Sequence, residues 1–354
     1  MTVLDRPAVR PLVPTRTGVT PNWFAAVMGT GIVAISAAGL PVDVPGLRGL
    51  ARLIWASAAL LLLAFCVASG WQWRRSATHL ADPVMMQFYG APPMALMTVG
   101  GGTLLLGSDW IGIHAAVAVD LALWTLGTVG GLVTAVAIPY LMITRQQQAP
   151  AFGGWLMPVV PPMVSAANGA LLAEHLHSED LKRFCVALFG AGLVAALLTI
   201  AHLWGRLLTQ PPTPARLVPT LWIVLGPLGQ SITAAHLLMN DGGVAYGLPV
   251  WGFAMLWLAL VAALTVRERI PFGLPWWSFT FPLGTVVTGT TGLAVRTGSP
   301  TLTAAAVLLF GLLAALWLTV AARTVNSVLP RRRPVDRRRH QTVAVDDLSA
   351  ERHQ

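Results

Sequence analysis

Charge is what this chain has least of: 10% of its 354 residues are Asp, Glu, Lys or Arg, against 55% that are apolar. That balance excludes an ordinary soluble domain. Cysteine is scarcer still. Cys66 and Cys185 are the two in the chain, and without paired spacing they offer no disulfide framework, zinc site or haem attachment, so they are expected to pack as small apolar groups. Enzyme signatures are missing too: no P-loop, no G-x-S-x-G elbow, no H-E-x-x-H, and no G-x-G-x-x-G opening a helix after a strand. These gaps point away from catalysis, from nucleotide-driven work, and from any resident metal or cofactor.

Apolar sequence fills the chain instead. Windows of about 20 mostly uncharged residues, enough to cross a hydrocarbon core, recur at 22–40, 50–70, 88–107, 112–141, 155–176, 183–207, 218–239, 245–266, 276–296 and 301–323. The expected fold is all-α and integral to the membrane: ten transmembrane helices over residues 21–323, a cytoplasmic tail over 1–20 and a basic cytoplasmic tail over 324–354. The first span follows Arg6, Arg10 and Arg16 with no cleavage site and reads as an uncleaved insertion signal. With ten spans both termini share a side, which carries 18 basic residues against 5 opposite. The positive-inside rule puts that side in the cytoplasm of a plasma or inner membrane. The run RRRPVDRRRH at 331–340 begins just past the last span and reads as an anchor on anionic lipid, not as a nucleic-acid grip.

The odd-numbered spans repeat. Val27-Met28-Gly29, Pro93-Met94-Ala95, Pro162-Met163-Val164-Ser165, Pro227-Leu228-Gly229 and Pro282-Leu283-Gly284 recur at intervals of 66, 69, 65 and 55 residues, each long enough for two helices and their loops. Even-numbered spans are rich in Leu, Ala, Val and Trp, as expected of helices facing lipid. Odd spans carry Gly, Ser, Thr and Pro, and interrupted backbone is tolerated at membrane depth only beside protein or water. The repeat therefore predicts five helical hairpins, with odd helices inside, even helices outside, and a pore left by small residues on the axis.

WFAAVMGTGIVA near the start, PVVPPMVSAANGALLA in the fifth span, GPLGQSITAAHLL in the seventh and WWSFTFPLGT in the ninth resemble the tellurite-resistance and dicarboxylate transporter family. That family includes plant slow anion channels, fungal malate permeases and sulfite efflux proteins. The resemblance covers about residues 21–323. It implies transport of a small anion, either an organic acid such as malate or another C4-dicarboxylate, or sulfite or an inorganic anion. It also implies a homotrimer with one pore per subunit, and a phenylalanine gate on the ninth helix that falls on Phe281, two residues after Phe279. Pro282 is expected to bend that helix midway and aim Phe281 at the axis. The first span has Val27 where some relatives have proline, so its bend is not implied.

The central parts of the odd spans hold no Asp, Glu, Lys or Arg, which removes the acidic ring of a cation pore. Candidates for lining the pore or bending its helices are Phe24, Gly29, Thr30, Pro93, Pro162, Ser165, Pro227, Gly229, Gln230, Pro282, Gly284 and Thr285, with Thr98, Asn168, Ser231, Thr233 and Thr288 as further polar groups. Sequence does not set helix rotation, so which of them face the axis stays open. Flux is expected to follow the solute gradient. One alternative is a proton-coupled organic-acid carrier, for which Asp120 in the fourth span is the candidate relay. Another is a membrane haem protein drawing on His114, His175 and His236; His202 and His236 lie at opposite ends of their spans and cannot share one iron.

Overall fold

The computed structural model describes residues 18–71, 76–145, 150–239 and 242–328. Both expected tails, including the basic run at 331–340, fall almost wholly outside these residues. Among the described residues the chain is helical and contains no strand. Ten α-helices have twelve residues or more: α1 (Phe24–Gly39), α2 (Leu47–Trp71), α3 (Ala91–Gly102), α4 (Ile113–Arg145), α5 (Pro161–His175), α6 (Glu179–Thr209), α7 (Leu225–Leu238), α8 (Gly242–Arg267), α9 (Thr280–Thr297) and α10 (Pro300–Val328). Among the described residues seven helices are long and apolar enough to cross a membrane. The expected third, fifth and ninth crossings do not qualify. Their α-helical parts, α3, α5 and α9, have 12, 15 and 18 residues and carry Gly, Thr and Ser in place of Leu and Val.

Helices α1, α3, α5, α7 and α9 touch in a closed cycle, each packed on the next and α9 back on α1. Each of α2, α4, α6, α8 and α10 packs against the helix before it and also reaches the next member of the cycle, α10 returning to α1. Small residues let the inner helices approach closely. A Cβ at Gly229 would land on the backbone of Thr285 and Val286, one at Gly284 would strike Ile32, and one at Gly29 would strike Thr280.

The prolines act differently from the expected midway bend. Pro93, Pro227 and Pro282 are the third residues of α3, α7 and α9, and Pro161 and Pro162 open α5. A proline is well tolerated in the first turn of an α-helix, where its fixed φ already suits the helix. Upstream of each lies a 3-10 segment: Met85–Gly90, Gly153–Leu156, Ala215–Val224 and Leu274–Phe279. The interruption is thus a change of helix type, with proline just inside the new helix. Interior prolines do occur, at Pro139 and Pro249 of α4 and α8. In α3 the break has another form, a π turn over Thr103–Gly107; the Trp55 ring fills the space beside Gly102 and Gly107.

The tryptophans of the even helices are not simply lipid-facing. Indole Nε1 of Trp55 on α2 donates to the Val99 carbonyl of α3 at 3.3 Å, and that of Trp124 on α4 to the Ser165 carbonyl of α5 at 2.9 Å. Trp251 on α8 donates to Thr290 of α9 at 3.0 Å, and Trp317 on α10 to Thr30 of α1 at 3.2 Å. In each case an even-numbered helix bonds the next member of the inner cycle, α10 returning to α1. An indole N–H buried in hydrocarbon needs an acceptor, and the inner helices provide it.

Candidate functional site

Two cavities lie along the axis of the inner cycle. The smaller, about 30 Å³, is lined by the first turns of the inner helices: Ala25 and Met28 of α1, Met94 of α3, Gly226 and Pro227 of α7, and Phe281 and Pro282 of α9. A space of this size holds about two waters. The larger, about 220 Å³, is lined by later turns of the same helices, from Ile32 to Gly39, Thr98 to Leu105, Val164 to Leu171, Gln230 to Leu237 and Thr288 to Val295. The five inner helices therefore run parallel: early turns of α1, α3, α7 and α9 line the narrow cavity, α5 meets it through Val160 just before its first turn, and later turns of all five line the wide one.

Phe281 is common to the walls of both cavities and is 7% exposed. Its side chain projects from the first turn of α9, where Gly226 and Pro227 of α7 share the narrow wall. Phe279 lies elsewhere, edge-on to Trp222 at 5.0 Å between ring centres and to Trp276 at 5.6 Å.

Of the other sequence candidates, Pro227 and Pro282 line the narrow cavity and Gln230 the wide one. Thr98, Asn168, Thr233 and Thr288 also line the wide cavity. The rest face neighbouring helices. Phe24 packs edge-on to Phe65 of α2 at 5.8 Å, and the Thr30 hydroxyl accepts from Trp317. Ser165 pairs with Thr128 of α4 at 2.5 Å, and Thr285 donates toward the Gly226 carbonyl of α7 at 3.1 Å. Ser231 caps its own turn through the Leu228 carbonyl at 2.8 Å. Gly29, Gly229 and Gly284 sit at helix contacts; Pro93 packs on Gly130 of α4, and Pro162 lies outside both walls. These residues shape the ring without lining its cavities.

Sequence reasoning missed Met28, Phe88 and Trp277 at the narrow end and Thr291 at the wide end. The signal for Thr291 was present: it follows Thr288 by three residues, one helical turn along the face that begins at Phe281.

Among the described residues no Asp, Glu, Lys or Arg lines either cavity. Asp120, on α4, is fully buried against Gly100 of α3, one helix behind the wide wall. Neither carboxylate oxygen hydrogen-bonds a described residue. Of the histidines, His236 lines the wide cavity, while His202 stacks on Trp155 at 5.5 Å away from the axis. Among the described residues no group of three or more His, Cys, Asp or Glu converges as a metal site. Beyond the spans, Asp109 binds Arg52 at 2.5 Å and Arg48 at 3.1 Å, tying the end of the third segment to α2. Those guanidiniums, Arg52 foremost, hold the Asp109 carboxyl below its usual value.

Residues 18–325 match the model of the SLAC1 family, described as voltage-dependent anion channel. The chain is 28% identical over 288 residues to an uncharacterized transporter of Methanocaldococcus jannaschii, covering 75% of this chain and 81% of that one. It is 25% identical over 340 residues to a sulfite efflux pump of Arthroderma otae, covering 86% of this chain and 89% of the pump. An S-type anion channel of Arabidopsis thaliana is 28% identical over 153 residues, which is 40% of this chain and 29% of the channel. The chain belongs to the SLAC1 family, a family of membrane channels and transporters.

Proposed function

On that membership, we propose that the protein carries small anions across a membrane along the axis of the inner cycle, with Phe281 as the gate between the two cavities. In this reading ten segments cross the bilayer as five hairpins, and flux follows the solute gradient. The excess of basic residues on one side puts both termini in the cytoplasm of a cell membrane. The observation that carries the reading is the single ring that, among the described residues, both cavity walls share, on a path to which those residues bring no fixed charge. The parallel inner helices add to it: early turns of α1, α3, α7 and α9, the ends towards which a helix dipole is positive, line the narrow cavity. An anion meets favourable potential there without a basic side chain to trap it.

Sulfite heads the solutes to test, because a relative aligned along most of its length is a sulfite efflux pump. Malate and other C4-dicarboxylates, and simple inorganic anions, complete the panel. The test is flux into proteoliposomes by wild type and Phe281→Ala. Removing a barrier of about 1.4 kcal/mol raises the rate about tenfold, so Phe281→Ala is expected to exceed wild type by at least that factor for each transported anion. Equal flux from equal amounts of correctly inserted protein would overturn the gate.

A proton-coupled carrier has one observation in its favour, the buried Asp120 carboxylate without a hydrogen-bond partner among the described residues. Its place behind Gly100, off both cavities, favours a packing role instead. Uptake by Asp120→Asn across pH separates the two, because a relay requires the pH dependence to disappear.

A further inference from the structure

We propose that the wide cavity is a binding site for a small oxyanion, with the Gln230 amide and the His236 imidazole as its free donors, and that an anion held there brings a proton onto His236. The inference rests on the reading of the axis as an anion path and adds the groups that hold its occupant.

Gln230, Thr233 and His236 recur every third residue along α7, and all three line the wide cavity. At 1.5 Å per residue this ladder is about 9 Å long. Most other polar groups on the wall are engaged: Thr233 with Thr288 at 3.0 Å, Thr98 with the Met94 carbonyl at 2.8 Å, Asn168 with the Met97 carbonyl at 2.7 Å. Gln230 is 5% exposed, yet its amide has no hydrogen bond to a described residue, and the His236 ring has none either. Thr291 Oγ1, on the same wall, is buried without a partner among the described residues. A buried donor left unpaired is costly, and an anion accepting from Thr291 removes that cost while also pairing the Gln230 amide and the half-buried His236 ring.

The setting of His236 suits this role. Its ring rests on Gly292 of α9, where a Cβ would come within 3.1 Å of Cγ and Cδ2; the glycine makes room for the imidazole. Among the described residues His236 is the one ionisable side chain in either wall. Arg296 of α9 is the charged group whose field reaches it. Helices α5, α6 and α8, also packed on α7, put no charged side chain into the wall. Glu174 and His175 are exposed at the end of α5, and Glu179 and Asp180 at the start of α6. Asp241, between α7 and α8, lies outside the described residues.

Imidazole is the side chain that titrates between about pH 5 and 8. A protonated ring next to an anion strengthens binding, and by linkage the anion strengthens protonation by the same factor. The half-saturating anion concentration therefore falls as pH falls.

The test uses nitrate, whose own charge is constant over this range, with flux into proteoliposomes measured at pH 8 and pH 5. Wild type is expected to half-saturate at a concentration roughly fivefold lower at pH 5, the low end of typical coupling. His236→Gln is expected to abolish that ratio, with His236→Asn as the second variant if the first does not insert. Gln230→Ala is expected to raise half-saturation at both pH values and keep the ratio. A wild-type pH ratio in a correctly inserted His236 variant overturns the inference and leaves the anion path standing. Absence of nitrate flux in both wild type and Phe281→Ala overturns the path together with it.

Discussion

The inner and outer helices face the same apolar surroundings and answer them oppositely. In α2, α4, α6, α8 and α10 the most apolar stretch is 17% to 33% buried, whereas for the segments containing α1 and α7 the figure is 67% and 83%. Outer helices are long, continuous and greasy, so their backbone bonds close internally and their side chains meet lipid. Inner helices are short and interrupted, and they rely on close approach at Gly29, Gly229 and Gly284. Hydrophobicity therefore marks the periphery of this protein, while backbone proximity marks its centre. That reverses the pattern of a water-soluble fold.

The hardest blow to this comparison is bulk at the centre. Gly229→Leu drives a side chain into the Thr285–Val286 backbone and is expected to cost about 3 kcal/mol or prevent folding. Leu198→Ala, at a position 69% exposed on α6, is expected to stay within about 0.5 kcal/mol. Detergent-solubilised thermal midpoints compare them, and equal losses would erase the distinction between the two classes. A milder cut falls on the bonds joining the classes. Trp124→Phe keeps one aromatic ring but deletes the pyrrole half of the indole with its 2.9 Å donation to Ser165, at an expected cost of about 1 kcal/mol for the bond and about 1 kcal/mol more for lost packing; an unchanged midpoint would make the indole bond ornamental.

The smallest effect belongs to the rim. Asp109 titrates below the ordinary carboxylate value because Arg52 and Arg48 bind its charged form. A lowered folded-state value means that its contribution is present above the unfolded value near pH 4 and is lost as pH falls through the folded one. Exposure keeps the contribution small. Asp109→Asn should thus lower the thermal midpoint slightly at pH 7 and converge with wild type in strong acid; a difference growing toward acid would reverse the assignment.

Much of this was legible in the chain, for a definite reason. The Pro-Met or Pro-Leu repeat on the third, fifth, seventh and ninth spans marks where a helix starts beside protein, and with Val27-Met28 in the first span it pointed to the helices that touch in the cycle. Phe281 stood out through the family resemblance together with its place before Pro282. Rotation was not legible. Thr30, Ser165 and Thr285 have the same chemistry as Thr98 and Thr288, yet their hydroxyls serve neighbouring helices, because roughly one-third of a turn decides between axis and partner and composition does not encode it. The change from 3-10 to α helix was also hidden, since a proline in a first turn and a proline at a bend read alike. Tryptophans of the even spans looked like lipid-facing bulk until the acceptors of their N–H groups came into view.

The Trp317 to Thr30 bond joins positions 287 residues apart. The circle itself closes where α9 meets α1, so the last helix does not make the seam; it reaches back across nearly the whole chain to brace it from outside. A chain released before α10 would keep that direct contact and lose its backing, leaving the Thr30 hydroxyl without the indole it serves.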